Sequence, residues 1–306
     1  MSGLIQIKPQ RRHPDWFKIK FPSGESYGKV KGLVKTNRLR TICEEAKCPN
    51  LSECWSHGTA TFLILGDTCT RYCGYCNVKT GKPGKIDLSE LKKVADAVKK
   101  LNLKYVVITS VTRDDLGDGG ASIYVDTIKE IRKLNRNCKV ELLIPDFRLR
   151  NKDNKNNRDD KISIDALKKV IGARVDVLGH NIEAVRRIFL KVRKGGNYDL
   201  SLQLLKTIKK INKKIKTKSG IILGLGETKE EIIETMQELR DNDVDFLTLG
   251  QYLQPSEKHV KIEKYYKPEE FGELKEIGLK MGFRHVEAGP LVRSSYRADR
   301  LDSMIE

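Results

Sequence analysis

The 306-residue sequence lacks any apolar run near the ~18–20 residues that a membrane-spanning helix needs, so the pattern predicts a protein without a membrane segment. Its first residues, "MSGLIQIKPQRRHPDW", contain neither the apolar stretch nor the small-residue cleavage site of a secretory signal. The expectation is therefore a cytoplasmic chain. Aromatic residues make up only 7 % and do not interleave with the basic runs. That leaves no stacking platform for nucleic acid despite a formal net charge of +18, so a nucleic-acid partner is not predicted. The five histidines are scattered and suggest no zinc triad, and no Ser/His/Asp set or paired carboxylate stands out.

Against these absences stand seven cysteines, of which six fall in two packets. Cys43, Cys48 and Cys54 lie in "CEEAKCPNLSEC", and Cys69, Cys73 and Cys76 in "CTRYCGYC". Cys138, at a strand start, reads as an ordinary buried thiol. A reducing compartment disfavours disulfides, and a chain this long needs no staples to fold. Structural zinc sites usually assemble from two closely spaced pairs. Here the spacings are C-x4-C-x5-C and C-x3-C-x2-C, three thiols each. Three soft thiolates suit an iron–sulfur cubane that keeps one iron open, and two packets predict two clusters.

From residue 60 onward, short β-branched runs alternate with helix-period stretches. Strands are predicted at 61–65, 104–110, 139–145, 174–180, 218–225 and 245–251. Helices are predicted at 88–101, 121–135, 163–172, 199–214 and 228–241. Such alternation indicates βαβ units and a parallel sheet. Six units suit an α/β, partial (β/α)6 TIM-type barrel, although periodicity leaves a doubly wound sheet open. Residues 1–59 and 283–306 are read as N- and C-terminal extensions of a barrel over 60–282. Polar segments follow each strand ("CTRYC", "SVTRDDLGDGG", "PDFR", "HNIE", "GLGET", "QYLQPS"), and ligands in parallel α/β folds sit at those C-terminal strand ends. The charged stretch 148–161 is predicted as a mobile loop.

The C-x3-C-x-aromatic-C pattern of Cys69, Cys73, Tyr75 and Cys76, just after the first strand, resembles the signature of radical S-adenosylmethionine enzymes. "CEEAKCPNLSECW", "RDDLGDGGA", "GHNIEAV", "GLGET", "TLGQYLQPS" and "RSSYRAD" narrow the resemblance to the lipoyl synthase family, from about Arg11 to Asp299. Within the superfamily the nearest competitors, biotin synthase and tRNA methylthiotransferase, lack the N-terminal packet combined with the RSSY tail. Outside it, the rivals are a two-cluster electron-transfer protein and a zinc-containing RNA-binding protein.

The resemblance implies that Cys69, Cys73 and Cys76 hold a 4Fe–4S cluster whose open iron chelates S-adenosylmethionine, with Tyr75 near the adenine. It implies an auxiliary 4Fe–4S cluster on Cys43, Cys48 and Cys54, with Ser295, chosen over Ser294, as the fourth and catalytic ligand. The implied reaction inserts sulfur at C6 and C8 of a protein-bound octanoyl-lysine, using two S-adenosylmethionine molecules and a sacrificial auxiliary cluster. An unactivated C–H bond offers nothing to a base or a nucleophile, which is why a radical is needed. The implied partners are an octanoylated carrier (a 2-oxoacid dehydrogenase E2 lipoyl domain or the glycine cleavage H protein), a reductant such as ferredoxin or flavodoxin, and a protein that reloads the cluster. Lipoyl carriers are typically acidic, which the positive charge suits.

Three smaller motifs keep two readings. Gly119 and Gly120 either let backbone approach the methionyl amine or form a plain turn. "GLGET" reads better as a turn and helix cap at Thr228 than as a cofactor contact. His180 and Asn181 are placed facing the site rather than in structural hydrogen bonds.

Overall fold

The computed structural model describes residues 14–18, 25–57, 59–149 and 161–305. The apolar runs become β1 (Thr61–Ile64), β2 (Tyr105–Ser110), β3 (Lys139–Leu143), β4 (Val177–Gly179), β5 (Lys216–Leu223) and β6 (Phe246–Gln251). A seventh strand, β7 (His285–Gly289), lies in the segment read from sequence as an extension. It escapes a pattern search because only Val286 of its five residues is fully buried and the segment is short of β-branched side chains. All seven strands are parallel and pair in chain order, with β1 and β7 at the two ends. That order excludes a doubly wound sheet, in which strand order reverses. The architecture is α/β, a partial TIM-type barrel open between its first and last strands.

The covering helices include α4 (Ser89–Lys100), α5 (Ala121–Leu134), α6 (Ile164–Gly172), α7 (Arg186–Val192), α8 (Tyr198–Ile211), α9 (Lys229–Asp241) and α10 (Pro268–Lys280). Their apolar stripes meet the outward faces of the strands in one continuous core that holds Phe62, Val106, Ile108 and Leu142. Thr228 caps α9 through a full capping box with Glu231, worth about 1 kcal/mol. This bears out the turn-and-cap reading of "GLGET".

The inward faces behave differently at the two ends. At the N-terminal ends of the strands, Tyr105, Val107, Val177 and Phe246 pack against Ala298 and Leu301 of a 3₁₀ helix, Ala298–Met304, which closes the barrel floor. Lys218 and Glu141 form a buried ion pair there at 2.8 Å, and the Tyr105 hydroxyl donates to Glu141 at 2.6 Å.

The open edge is covered by both extensions. Helices α1 (Glu25–Thr36), α2 (Ile42–Glu45) and α3 (Leu51–Ser56) precede β1, and main-chain contacts from Arg40 to Leu63 and from Thr41 to Phe62 seat them on its free edge. The tail passes so close to β6 that a Cβ at Gly250 would collide with the Val292 carbonyl oxygen, a closeness only glycine permits. Arg148–Leu149 and Lys161–Ile162 form a two-residue antiparallel ladder, and the predicted loop between them lies, from 150 to 160, outside the described residues.

Candidate radical and sulfur site

The cysteine loop after β1 is held from several sides. Arg71, between Cys69 and Cys73, is buried and forks onto two carboxylates. Its Nε and Nη2 donate to Asp114 at 3.0 and 2.7 Å, and its Nη1 and Nη2 to Asp146 at 2.6 and 2.7 Å. Burial alone would raise the Asp146 carboxyl, but the Arg71 charge and hydrogen bonds outweigh it and hold the group below the ordinary range. Main-chain bonds add further ties. Gly74 N–H donates to the Val192 carbonyl at 2.7 Å, Val260 N–H to the Gly74 carbonyl at 2.9 Å, and Gly81 N–H to the Cys69 carbonyl at 2.9 Å. His259 donates from Nε2 to the Cys76 carbonyl at 3.0 Å, while its Nδ1 accepts from Ser256 at 2.8 Å.

The loop borders a cavity of about 550 Å³ at the C-terminal ends of the strands. Cys69, Cys73, Tyr75 and Cys76 line it, and so do Cys43, Cys48, Ser294 and Ser295. Apolar side chains, among them Leu63, Val111, Leu143 and Ile221, make up part of its wall. Cys54 instead lines a small adjoining pocket with Cys43, Cys48 and Ser295, so the N-terminal packet and the tail serine meet there. Thr61 Oγ1 donates to Ser295 Oγ at 2.8 Å. The tail is tied to the packet again by Asn50 Nδ2, which donates to the Leu291 carbonyl at 2.5 Å, and by the Tyr296 hydroxyl, which donates to Glu53 at 3.3 Å.

The donor chemistry fits iron–sulfur clusters. All seven thiols are free. Burial pushes Cys43, Cys54 and Cys76 up to about 12, and raises Cys48 and Cys73 too. Such thiols ionise only when a cationic centre binds them. Among the described residues, no three Cys, His, Asp or Glu side chains surround a point suited to one metal ion. A cubane makes no such demand, because its ligands go to separate iron corners. Two half-buried cations sit near the thiols: Arg193 beside Cys73 and Arg293 beside Cys48, each favouring the thiolate.

Further polar groups line the cavity that the sequence pattern did not single out. Glu183, in a left-handed turn (φ 71°), accepts from Asn181 Nδ2 at 3.1 Å and from the Tyr75 hydroxyl. Burial raises its carboxyl and lifts the Tyr75 phenol well above the ordinary value. Arg193 donates to the Asn181 carbonyl at 2.7 Å and approaches His180 Nε2 at 3.4 Å. His180 both borders the cavity and is engaged structurally, with Nδ1 on the Ile144 carbonyl at 2.9 Å and Nε2 beside Ser201 at 3.2 Å. Burial, with the Arg193 charge, lowers its pKa from 6.5 to about 4, so the ring is neutral.

Gly119 and Gly120 fall outside the lining of this cavity. Both have positive φ, and an added Cβ would press on Phe147 at Gly119 and on Leu65 at Gly120. They lie in the turn that starts α5, with Gly120 as its N-cap.

The chain resembles known proteins at both levels. A model of the radical SAM superfamily matches residues 63–239, and a model of the N-terminal domain of lipoyl synthase matches residues 4–48. Lipoyl synthase of Halalkalibacterium halodurans is 51 % identical over 289 residues, which cover 94 % of this chain and 91 % of that protein. Lipoyl synthase of Geobacillus thermodenitrificans is 52 % identical over 289 residues, 94 % of this chain and 93 % of that one. Among solved structures, HydG, a maturase of the FeFe-hydrogenase, aligns with a TM-score of 0.56 at 15 % identity, over 84 % of this chain and 55 % of HydG. Methylornithine synthase (PylB) aligns at 0.54 and 14 % identity, over 86 % and 75 % of the two chains. These structural likenesses speak to the fold alone. Identity near one residue in two along almost the whole length is a far narrower match, and by it the chain belongs to the lipoyl synthase family of the radical S-adenosylmethionine superfamily.

Proposed function

We propose that this protein inserts two sulfur atoms, at C6 and C8, into an octanoyl chain amide-linked to a lysine of a carrier protein, giving the lipoyl group. Superfamily membership brings S-adenosylmethionine and a 4Fe–4S cluster, and family membership an octanoylated carrier as substrate. The observation that carries the finer reading is that one cavity is lined by both cysteine groups and by the tail serines. An alkyl chain inserted there lies against apolar wall, within reach of both a hydrogen-abstracting centre and a sulfur source.

When bound, the first cluster with S-adenosylmethionine supplies a radical able to take hydrogen from an unactivated C–H bond, and an auxiliary cluster supplies the sulfur. Cys69, Cys73 and Cys76 would hold the first, three thiolates for four irons. Cys43, Cys48 and Cys54 hold the second, with Ser295 as its fourth ligand. Thr61 orients the Ser295 hydroxyl through its donated hydrogen bond. Ser295 would give that cluster one hard oxygen ligand where its other three irons have soft thiolates, and so the weakest of its four protein ligands. Tyr75, on the cavity wall, packs beside the nucleoside. An external one-electron donor and a protein that rebuilds the second cluster complete the cycle.

The test is anaerobic incubation with an octanoyl-lysine peptide, dithionite and S-adenosylmethionine, read by mass. The expected product carries two added sulfur atoms, with two 5′-deoxyadenosine molecules formed per product. Abundant 5′-deoxyadenosine with no sulfur in the peptide would refute the reading.

A further inference from the structure

The outer side of the cysteine loop carries a surface that none of the reactions above uses. Tyr72 lies between Cys69 and Cys73, yet it is 64 % exposed, and Leu190 near the end of α7 is 65 % exposed. Three segments are stitched together here. The antiparallel bridge between Cys73 and Arg193 sets Tyr72 opposite Lys194, and Gly74 is bonded to Val192 on one side and Val260 on the other. Lys191, Lys194, Lys258 and Lys261 are all exposed on these segments, and Glu257 is their only acidic neighbour within residues 72–76, 190–194 and 257–261. None of the four lysines makes an ion pair among the described residues, unlike Arg186 and Arg187 of α7, which pair with Glu238 and Glu231.

We propose that this patch docks an acidic, low-potential one-electron carrier protein, and that Tyr72 and Leu190 form the apolar centre of the contact. The inference rests on the reading of Cys69, Cys73 and Cys76 as cluster ligands. Charge complementarity selects an acidic partner, and an exposed aromatic ringed by cations is a common form of contact centre. Position selects an electron carrier over the octanoylated carrier. Tyr72, Leu190 and the four lysines do not line the cavity, whereas Cys73, Tyr75, Cys76 and Arg193 of the same segments do, so a partner seated on the patch faces the outer side of the cysteine loop and not the cavity wall. The patch does back directly onto the main chain of the cysteine loop, through the Val192 and Val260 bonds to Gly74, the His259 bond to Cys76 and the bridge from Arg193 to Cys73. An electron therefore has only the thickness of the loop to cross. The carrier is oxidised by one electron and the cluster reduced by one, once for each S-adenosylmethionine cleaved.

The experiment compares the reconstituted protein with Lys191→Glu/Lys194→Glu and Lys258→Glu/Lys261→Glu variants, using reduced flavodoxin as the probe. The readouts are flavodoxin affinity by fluorescence anisotropy and the rate of bleaching of the cluster's visible absorbance. Each double reversal is expected to weaken binding and slow cluster reduction roughly tenfold or more at low salt, with dithionite reduction and dithionite-driven turnover unchanged. Tyr72→Ala is expected to weaken binding without changing its salt dependence. Unchanged affinity and bleaching in the reversals would overturn the proposal. Equal loss with dithionite would also overturn it, by assigning the lysines to the fold of the loop. A defect confined to octanoylated carrier protein, absent with octanoyl-lysine peptide, would give the patch to that carrier instead. If the sulfur-insertion reading fails, wild type makes no thiolated product with dithionite while the binding measurements still decide the docking question.

Discussion

Replacing Arg71 by Met should be the most destabilising single change near the cysteines that touches none of them. Arg71 makes four hydrogen bonds to two carboxylates, with side-chain exposures of 5 % for Arg71, 11 % for Asp114 and 2 % for Asp146. Methionine fills most of the volume but strands two buried carboxylates facing each other. Breaking a buried pair on one side typically costs about 3–5 kcal/mol. With about 2.1 cal/mol/K of unfolding entropy per residue, a loss of that size lowers the melting temperature of a 306-residue chain by about 5–8 °C. Urea titration of the reduced, cluster-free protein gives the free energy directly. Arg71→Lys should fall between the two, because a single ammonium cannot span both carboxylates. Adding Asp114→Asn and Asp146→Asn to Arg71→Met should recover more than half the loss, since the stranded charges are then gone. If Arg71→Met lies within 1 kcal/mol of wild type, or the triple variant is no more stable than the single, the clamp is not what holds the loop.

The barrel was legible in the sequence because fully buried parallel strands are written as runs such as "TFLI" and "YVVITS", whose burial leaves little room for polar residues. The seventh strand was not, since "HVEAG" is only partly covered. The cysteines were legible because three thiols in eight residues have few uses other than holding a metal or a cluster. Arg71 and Asp146 were not. They sit 75 positions apart, and only the closed barrel brings "CTRYC" and "PDFR" together. Arg193 escaped for a similar reason: in the sequence it is one charge at the end of an amphipathic helix, and its place on the cavity wall appears only when α7 packs behind the cysteine loop, while Glu183 lay inside the quoted "HNIE" without being singled out from it. Gly119 and Gly120 show the converse limit, because a glycine pair signals unusual backbone without saying whether a ligand or a neighbouring side chain demands it.

Three further outcomes follow from the same geometry. Changing Cys69, Cys73 and Cys76 to Ala should halve iron from about eight per chain and abolish S-adenosylmethionine cleavage, whereas changing Cys43, Cys48 and Cys54 should halve it and leave cleavage; full iron in either would redraw the ligand sets. Ser295→Ala should still form 5′-deoxyadenosine but little thiolated product, and Ser295→Cys should hold the auxiliary cluster more firmly while releasing sulfur poorly; normal product from Ser295→Cys with Ser294→Cys impaired would move the ligand one residue back. The last concerns His180. Its folded pKa of about 4 lies below the ordinary 6.5, so below pH 6.5 the unfolded chain binds a proton that the folded one refuses. Its neutral form is held by burial and by Arg193, with Asp146 pulling the other way. Stability is then unaffected by this group above about pH 7 and is lost progressively as the pH falls from 6.5 to 4, by at most about 3 kcal/mol. His180→Gln removes the titration. The variant, less stable than wild type at pH 7.5 for want of the ring's hydrogen bonds, should close that gap as urea titrations of the cluster-free protein are taken toward pH 4.5. Asp146 does not confuse the comparison, because it is present in both proteins and its carboxyl titrates below this window. Parallel stability curves for the two proteins would mean that the ring accepts its proton in place, and that the pocket formed by Ile144, Ser201 and Arg193 is more open to charge than its burial implies.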